Sequence, residues 1–287
     1  MTPAVKAFFD EATNTVTYVV HDPQSRVCAI IDPVLDFDQA SGRTSTASSD
    51  RVIEYIDESK LNVAWVLETH VHADHISAAQ YLKLKTGGKT GIGELITDVQ
   101  SVFKDLFNLG ESLATDGSQF DHMLEEGDVL PLGEMNIRVM HTPGHTSACL
   151  TFVVGDAVFV GDTLFMPDYG TARVDFPGGD AATLYRSIQR IFELPDEARL
   201  FMCHDYKAPG RDEYAWETTV AEERAKNVHI HAGVTEQEFI EFRQKRDAQL
   251  GVPKLMLPSI QVNIRAGEIP PAETNGVSYL KLPVNAL

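Results

Sequence analysis

Within six positions, His70-Val71-His72-Ala73-Asp74-His75 places three of the chain's ten histidines beside an aspartate. Imidazole and carboxylate are the donors that suit zinc, iron and related divalent ions. Histidines at i and i+2 converge on one centre only where the backbone between them curls. The plain alternative is a polar loop with chance histidines, and the density of the cluster argues against it. Three further short segments carry the same donor types. In His141-Thr142-Pro143-Gly144-His145-Thr146, Pro and Gly fix a tight turn that can present His145. In Gly161-Asp162-Thr163 a carboxylate follows an apolar run, and Gly161 permits close backbone approach. Cys203-His204-Asp205-Tyr206 also follows an apolar run. Taken singly these three are weak, because loop histidines are usually solvated and Gly-Asp is a common turn. Four segments that each deliver His or Asp at an expected strand end are hard to explain as turns.

The elements that must position these residues can be read from the apolar pattern. Residues 63–67 form a short buried strand that runs directly into Glu68-Thr69-His70. A helix over 76–85 follows and stops at Gly87-Gly88. This puts the histidine cluster at a strand's carboxyl end, where ligand sites of α/β folds gather. Short apolar pieces at 5–9, 16–20 and 27–31, separated by turn residues, predict a strand meander. Residues 41–49 read as a loop, 50–59 as a helix carrying Val52, Ile53 and Ile56 at helical spacing, and 99–107 as another helix. Strands return at 136–140, 149–154, 158–160 and 200–203. Leu184, Ile188 and Ile191 form one face of a helix over 181–192, with Asp180 at its N-cap. Thr235-Glu236-Gln237-Glu238 has the capping-box pattern and opens a helix through about 250. From about 253 onward, several prolines predict an irregular tail over the surface. The whole chain, 1–287, reads as a single α/β domain.

Bulk properties narrow the partners. A chain of 287 residues, 43% of them hydrophobic, can bury a large core. No apolar run reaches membrane-spanning length, and the first ten residues lack the pattern of a secretory signal, so a cytoplasmic protein is expected. The net charge of -18 argues against a nucleic-acid partner. An anionic substrate would need cations placed locally. Cys28, Cys149 and Cys203 are widely spaced and contain no C-x-x-C pair, which argues against a disulfide framework. Cys149 and Cys203 flank the donor loops, but small buried residues are their ordinary reading. His141 reads as structural, and His21, His122, His229 and His231 have no metal-like context.

In this order and context the donor set resembles the metallo-β-lactamase superfamily, over about residues 16–206. The resemblance implies an αββα sandwich, two mixed sheets with helices outside and a metal site at one edge. It also implies ligand roles. In the hydrolases of the family the first metal would draw on His70, His72 and His145. The second would draw on Asp74, His75 and His204, with Asp162 bridging. A degenerate, non-enzymatic member would not need all seven.

One branch, the persulfide dioxygenases of the ethylmalonic-encephalopathy type, is similar to this chain in more detail. Arg173-Val174-Asp175-Phe176 resembles its Arg-x-Asp-Phe segment, and Glu222-Glu223-Arg224 followed by Asn227 resembles another. The short tail fits that branch better than glyoxalase II, which ends in a larger helical domain. In that branch the residues matching His70, His145 and Asp162 hold one Fe(II), and those matching His72, Asp74, His75 and His204 surround it. The resemblance therefore implies an iron-dependent glutathione persulfide dioxygenase. It would oxidise the persulfide sulfur with O2 to sulfite and release glutathione, with Arg173, Tyr206 and Arg224 as substrate contacts. Each contact also has a plain reading: a sheet-edge charge, a packed tyrosine and a solvated helix residue. The alternative is a di-zinc thioester hydrolase of the glyoxalase II kind. The 41–49 loop and an extended 86–116 insertion resemble a longer bacterial subgroup of β-lactamase-like proteins. A homodimer is common in the family and is expected here.

Overall fold

The computed structural model describes residues 2–286. Strands β1 (Ala4–Asp10), β2 (Thr15–His21) and β3 (Val27–Ile31) form the antiparallel meander. Short strands β4 (Val34–Asp38) and β5 (Arg43–Ser45) form a hairpin, followed by helix α1 (Ala47–Glu58) and strand β6 (Asn62–Leu67). Next come β7 (Ile76–Ser77), α2 (Ala79–Thr86), β8 (Lys89–Gly93), α3 (Ile96–Leu106) and β9 (His122–Leu124). The first sheet has the order β1-β2-β3-β6-β8-β9 and is parallel from β3 onward.

The second half of the chain builds the facing sheet. It comprises β10 (Val129–Leu132), β11 (Met135–His141), β12 (Leu150–Val154), β13 (Ala157–Phe159), β14 (Arg199–Phe201) and β15 (Glu217–Thr219), paired in that order. Helix α4 (Ala181–Phe192) connects β13 to β14, which makes that pair parallel. Helices α5 (Val220–Lys226), α6 (Glu236–Asp247) and α7 (Met256–Asn263) complete the chain.

Strand alternation explains the layering. Val16, Tyr18 and Val20 of β2 and Ala29 and Ile31 of β3 point inward, against Ile137, Val139, Phe152 and Phe159 of the facing sheet. Val19, Cys28 and Ile30 point outward, against Val52 and Ile56 of α1 and Leu82 of α2. Across the sandwich, Val158 and Leu200 point outward, against Leu184, Ile188 and Ile191 of α4. Both sheets are covered on both faces, so their strands read as apolar runs. The result is the αββα arrangement of helix, sheet, sheet and helix.

The expected helix termini at Asp180 and Thr235 are present. Asp180 accepts a bond from Thr183 N, and Thr235 with Glu238 forms a full capping box. Three expectations need correction. The 41–49 segment is not loop throughout: it contains β5 and the start of α1. The helix expected from 76 starts at 79, because Ile76 and Ser77 pair with Leu35 and Val34 of β4. The tail from about 253 is not irregular along its length. Residues Met256–Asn263 are helical, and Ile260 and Val262 are buried. Pro258 stands in the first turn of that helix, where a missing N–H costs nothing.

Candidate metal centre

Four loops meet at one edge of the sandwich, each leaving a strand end. His70, His72, Asp74 and His75 follow β6, His145 follows β11, Asp162 follows β13 and His204 follows β14. Two glycines allow the close approach. Gly161 has φ +51, and a Cβ there would lie 2.6 Å from Thr69 Oγ1. Gly144 has φ +143 and sits against α4, where a Cβ would lie 2.3 Å from Leu184 Cα. Neither site tolerates another residue type without displacement of its neighbour.

Hydrogen bonds on the far side of each imidazole decide which nitrogen faces the centre. His145 Nδ1 donates to Arg173 O at 2.8 Å. His204 Nδ1 lies 3.2 Å from Asn14 O. His70 Nδ1 lies 3.0 Å from Thr69 Oγ1, whose own proton goes to Asp32 Oδ2 at 2.9 Å. His75 Nδ1 faces Thr15 Oγ1 at 3.3 Å and Asp74 Oδ1 at 3.6 Å. His72 is reversed: its Nε2 lies 3.0 Å from Asp32 Oδ1 and 3.2 Å from Glu68 Oε2. What remains is buried and without a hydrogen-bond partner: His70 Nε2, His72 Nδ1, His75 Nε2, His204 Nε2, Asp74 Oδ2 and Asp162 Oδ1. Buried polar atoms are normally satisfied, so six orphans aimed into one region are what a bound cation would require.

The donors fall into two sets. His70, His145 and Asp162 offer atoms within 4.8 Å of one another, and so do His72, Asp74, His75 and His204. Donors about 2.1 Å from one ion stand roughly 3.0–3.4 Å apart. His204 Nε2 is 3.2 Å from Asp74 Oδ2 and 3.3 Å from Asp162 Oδ1, within that range. Asp162 Oδ2 is 3.7 Å from His145 Nε2 and 4.0 Å from His70 Nε2, a few tenths wider. The residues present therefore fit a cation of the zinc or iron type. Cys203 also lies near Asp162 and His204, but burial pushes its thiol well above its ordinary value.

Electrostatics set His72 apart from the imidazoles of both sets. Burial holds His70 well below the ordinary imidazole value, and the neighbouring imidazoles add to this. Burial and His72 likewise lower His75. Burial works against a charge on His72, yet Asp32 and Glu68 outweigh it and hold that imidazole well above its ordinary value. Burial would raise Asp32, but His72 and Thr69 keep it low, whereas burial keeps Glu68 raised.

A cleft opens beside the first set, lined among others by His145, Asp162, Phe165, Arg173, Tyr206 and Arg246. Arg173 and Tyr206 thus line this cleft. The Arg173 guanidinium is already occupied: it makes a bidentate pair with Asp175 at 2.6 and 2.7 Å and donates to Gly251 O at 2.8 Å. Its backbone carbonyl holds His145. Arg224 is not at the cleft. It donates to Phe192 O at 3.1 Å at the end of α4 and pairs with Asp196, so its role as a substrate contact is withdrawn. The neighbouring Asn227 donates to Gly170 O at 3.0 Å and supports the cleft loop from behind.

Sequence reasoning missed Asp32, Glu68, Arg246 and Asn263. Asp32 ends β3 just before Pro33, a strand-end carboxylate like Asp162, and that was its available signal. Arg246 is one charge among many on an exposed helix, with no local signal of its role.

Comparison with known proteins agrees with this geometry. Residues 11–204 match the profile of the metallo-beta-lactamase superfamily. The chain belongs to that superfamily. A probable metallo-hydrolase from Burkholderia pseudomallei is 56% identical over 99% of both chains. Glyoxylase B2 from Dictyostelium discoideum is 49% identical over 99% of this chain and 97% of its own. The mitochondrial persulfide dioxygenase ETHE1 of Bos taurus is 30% identical over 93% of this chain and 91% of its own. The crystal structure of ETHE1 from Myxococcus xanthus superposes with a TM-score of 0.72 at 30% identity, covering 92% of this chain and 100% of the other. The chain therefore has the metal-dependent fold of the superfamily and a His/Asp centre suited to a metal. No helix among the described residues is long and apolar enough to cross a membrane.

Proposed function

We propose that this chain is a persulfide dioxygenase acting on a glutathione-type persulfide, with one Fe(II) held by His70, His145 and Asp162. The observation that carries this reading is the composition of the first set. Two histidines and one aspartate close on one another while His72 groups with Asp74, His75 and His204. A two-histidine, one-carboxylate set leaves positions open for substrate and O2. A first zinc site of the hydrolase kind would draw on His72 together with His70 and His145; the His72 ring lies against that of His70, with centroids 4.1 Å apart, but its donor atom groups with Asp74, His75 and His204. The likeness to ETHE1 proteins, at 30% identity over more than 90% of each chain, supports the same reading.

When bound, the iron would supply the redox chemistry that lets O2 oxidise the outer persulfide sulfur by four electrons. Water completes the balance, giving sulfite and the free thiol. The chain's own residues do the rest. Asp162 supplies the anionic donor. Arg173 O fixes the ring of His145, and Thr69 that of His70. Phe165, Phe176 and Tyr206 line the cleft with apolar surface that excludes bulk water.

A second reading, a di-zinc thioester hydrolase, has specific support. The two relatives of higher identity carry hydrolase and glyoxylase names, and on names the comparisons back this reading better. The bare atoms of the second set could also take a second ion, which would polarise a carbonyl and activate a water. One assay separates them. Protein with its native metal is given glutathione persulfide while O2 is followed with an electrode, and in parallel S-lactoylglutathione while thioester absorbance is followed. Oxygen uptake with sulfite release supports the dioxygenase. Thioester turnover without oxygen uptake would overturn it in favour of the hydrolase.

A further inference from the structure

The C-terminal helix α7 lies against β7 and ends on Asn263, which is buried 191 residues along the chain from His72. The carboxamide of Asn263 directs both of its donors and its oxygen to the donor loop. Its Nδ2 donates to His72 O at 2.8 Å and to His75 O at 2.8 Å, and its Oδ1 accepts from Ser77 N at 2.8 Å. The two carbonyls bracket Ala73 and Asp74, so a single side chain fixes the spacing of three donors in the second set. Glu68 binds Ser77 through the hydroxyl, and Ala79 N donates to Ser77 Oγ at 3.0 Å, which ties the far end of the same loop. Buried carbonyls are costly to leave unpaired, so the loop depends on this one amide for its curl.

We infer that Asn263 is a positioning residue for the metal centre: through His72 O, His75 O and Ser77 N it sets the curl of the loop that carries His70, His72, Asp74 and His75, and thereby the affinity of the centre as a whole for a divalent cation. The C-terminal helix is thereby part of the centre rather than a cover over it. This rests on the metal-centre reading but not on the choice between oxygenase and hydrolase.

Cobalt(II) is a suitable probe, because its visible absorption reports both occupancy and coordination geometry. Chelator-stripped full-length protein is titrated with cobalt, and thermal unfolding of the metal-free protein is recorded alongside. Asn263→Asp keeps the shape and the acceptor but removes both donors and sets a charge against two carbonyls. It should weaken cobalt binding on the order of 10–100-fold and change the band shape, as loss of outer partners of metal ligands does. Asn263→Ser, which retains one short donor, covers the case in which the aspartate variant does not fold, and should show the same change. Gln261→Ala is the control on the same helix. Gln261 bonds to Leu257 O and Lys281 O and not to the donor loop, so this variant should lower the unfolding temperature and leave cobalt affinity and spectrum at wild-type values. Wild-type affinity and spectrum in folded Asn263→Asp or Asn263→Ser would overturn the inference, as would equal weakening by Gln261→Ala. A wild type that takes up no cobalt would overturn the metal centre itself and this inference with it.

Discussion

The two donor sets share Asp162 as a neighbour yet are built differently. His70, His145 and Asp162 come from three separate loops, and two of the three are steered by single contacts to Thr69 Oγ1 and Arg173 O. His72, Asp74 and His75 come from one loop, backed by buried carboxylates at Asp32 and Glu68 and by the amide of Asn263. The first set is assembled from three strand ends and shares the loop after β6 with the second through His70. The second is prefixed, with a carboxylate-held imidazole at its centre. A centre made this way can bind one reactive metal beside a stiff polar wall. The comparison breaks if the wall proves to be a second metal site of equal affinity.

The largest effect is expected at the shared residue. Asp162→Ala removes the anionic donor of the first set and the 3.3 Å neighbour of His204 in the second. Metal retained after dialysis, measured by plasma mass spectrometry, should fall by more than the roughly 100-fold upper range for outer partners. Retention near wild type would mean that the metal sits elsewhere.

Asp32 tests the stiffness of the wall. It accepts from Thr69 N at 2.7 Å and Thr69 Oγ1 at 2.9 Å, and it holds His72. Asp32→Ala leaves a buried imidazole facing Glu68 alone and should cost about 3–5 kcal/mol in urea unfolding. A loss under about 1 kcal/mol, the scale of a surface pair, would mean that the wall is not prefixed.

Asp74→Ala sharpens the same contrast. In the dioxygenase reading it should lower activity by about 10–100-fold while iron content stays closer to wild type. Equal loss of metal in Asp74→Ala and Asp162→Ala would make Asp74 a ligand and favour two metals.

The smallest expected change separates two arginines at the cleft. Arg173 is engaged by Asp175 and Gly251, whereas Arg246 takes part in none of the ion pairs among the described residues. A charge-assisted hydrogen bond contributes about 1.5–3 kcal/mol. Arg246→Ala should therefore raise KM for a carboxylated persulfide by roughly 10-fold and leave kcat near wild type. Arg173→Ala should act on kcat, through the loop that holds His145. The reverse assignment in steady-state kinetics would restore Arg173 as the substrate contact.

Much of this architecture was legible because it is local. Apolar runs marked most of the strands, the donor loops announced themselves by residue type, and the sandwich layering came from the resemblance to the superfamily. The partners of those donors were not legible. Asp32 reaches His72 across 40 positions and Asn263 reaches it across 191, and no spacing rule links them. Several prolines make the tail look irregular in sequence, yet Pro258 stands in the first turn of α7, where proline is compatible with a helix. Arg224 was carried over by resemblance, and its fold position points it at α4 instead.

The most direct test of the account is a count of metal per chain. Protein purified from its native host is analysed for iron and zinc by plasma mass spectrometry, with chain concentration from amino-acid analysis. The account predicts about one iron per chain, held by the two-histidine, one-aspartate set. About two zinc ions per chain would contradict it and place the chain with the hydrolases.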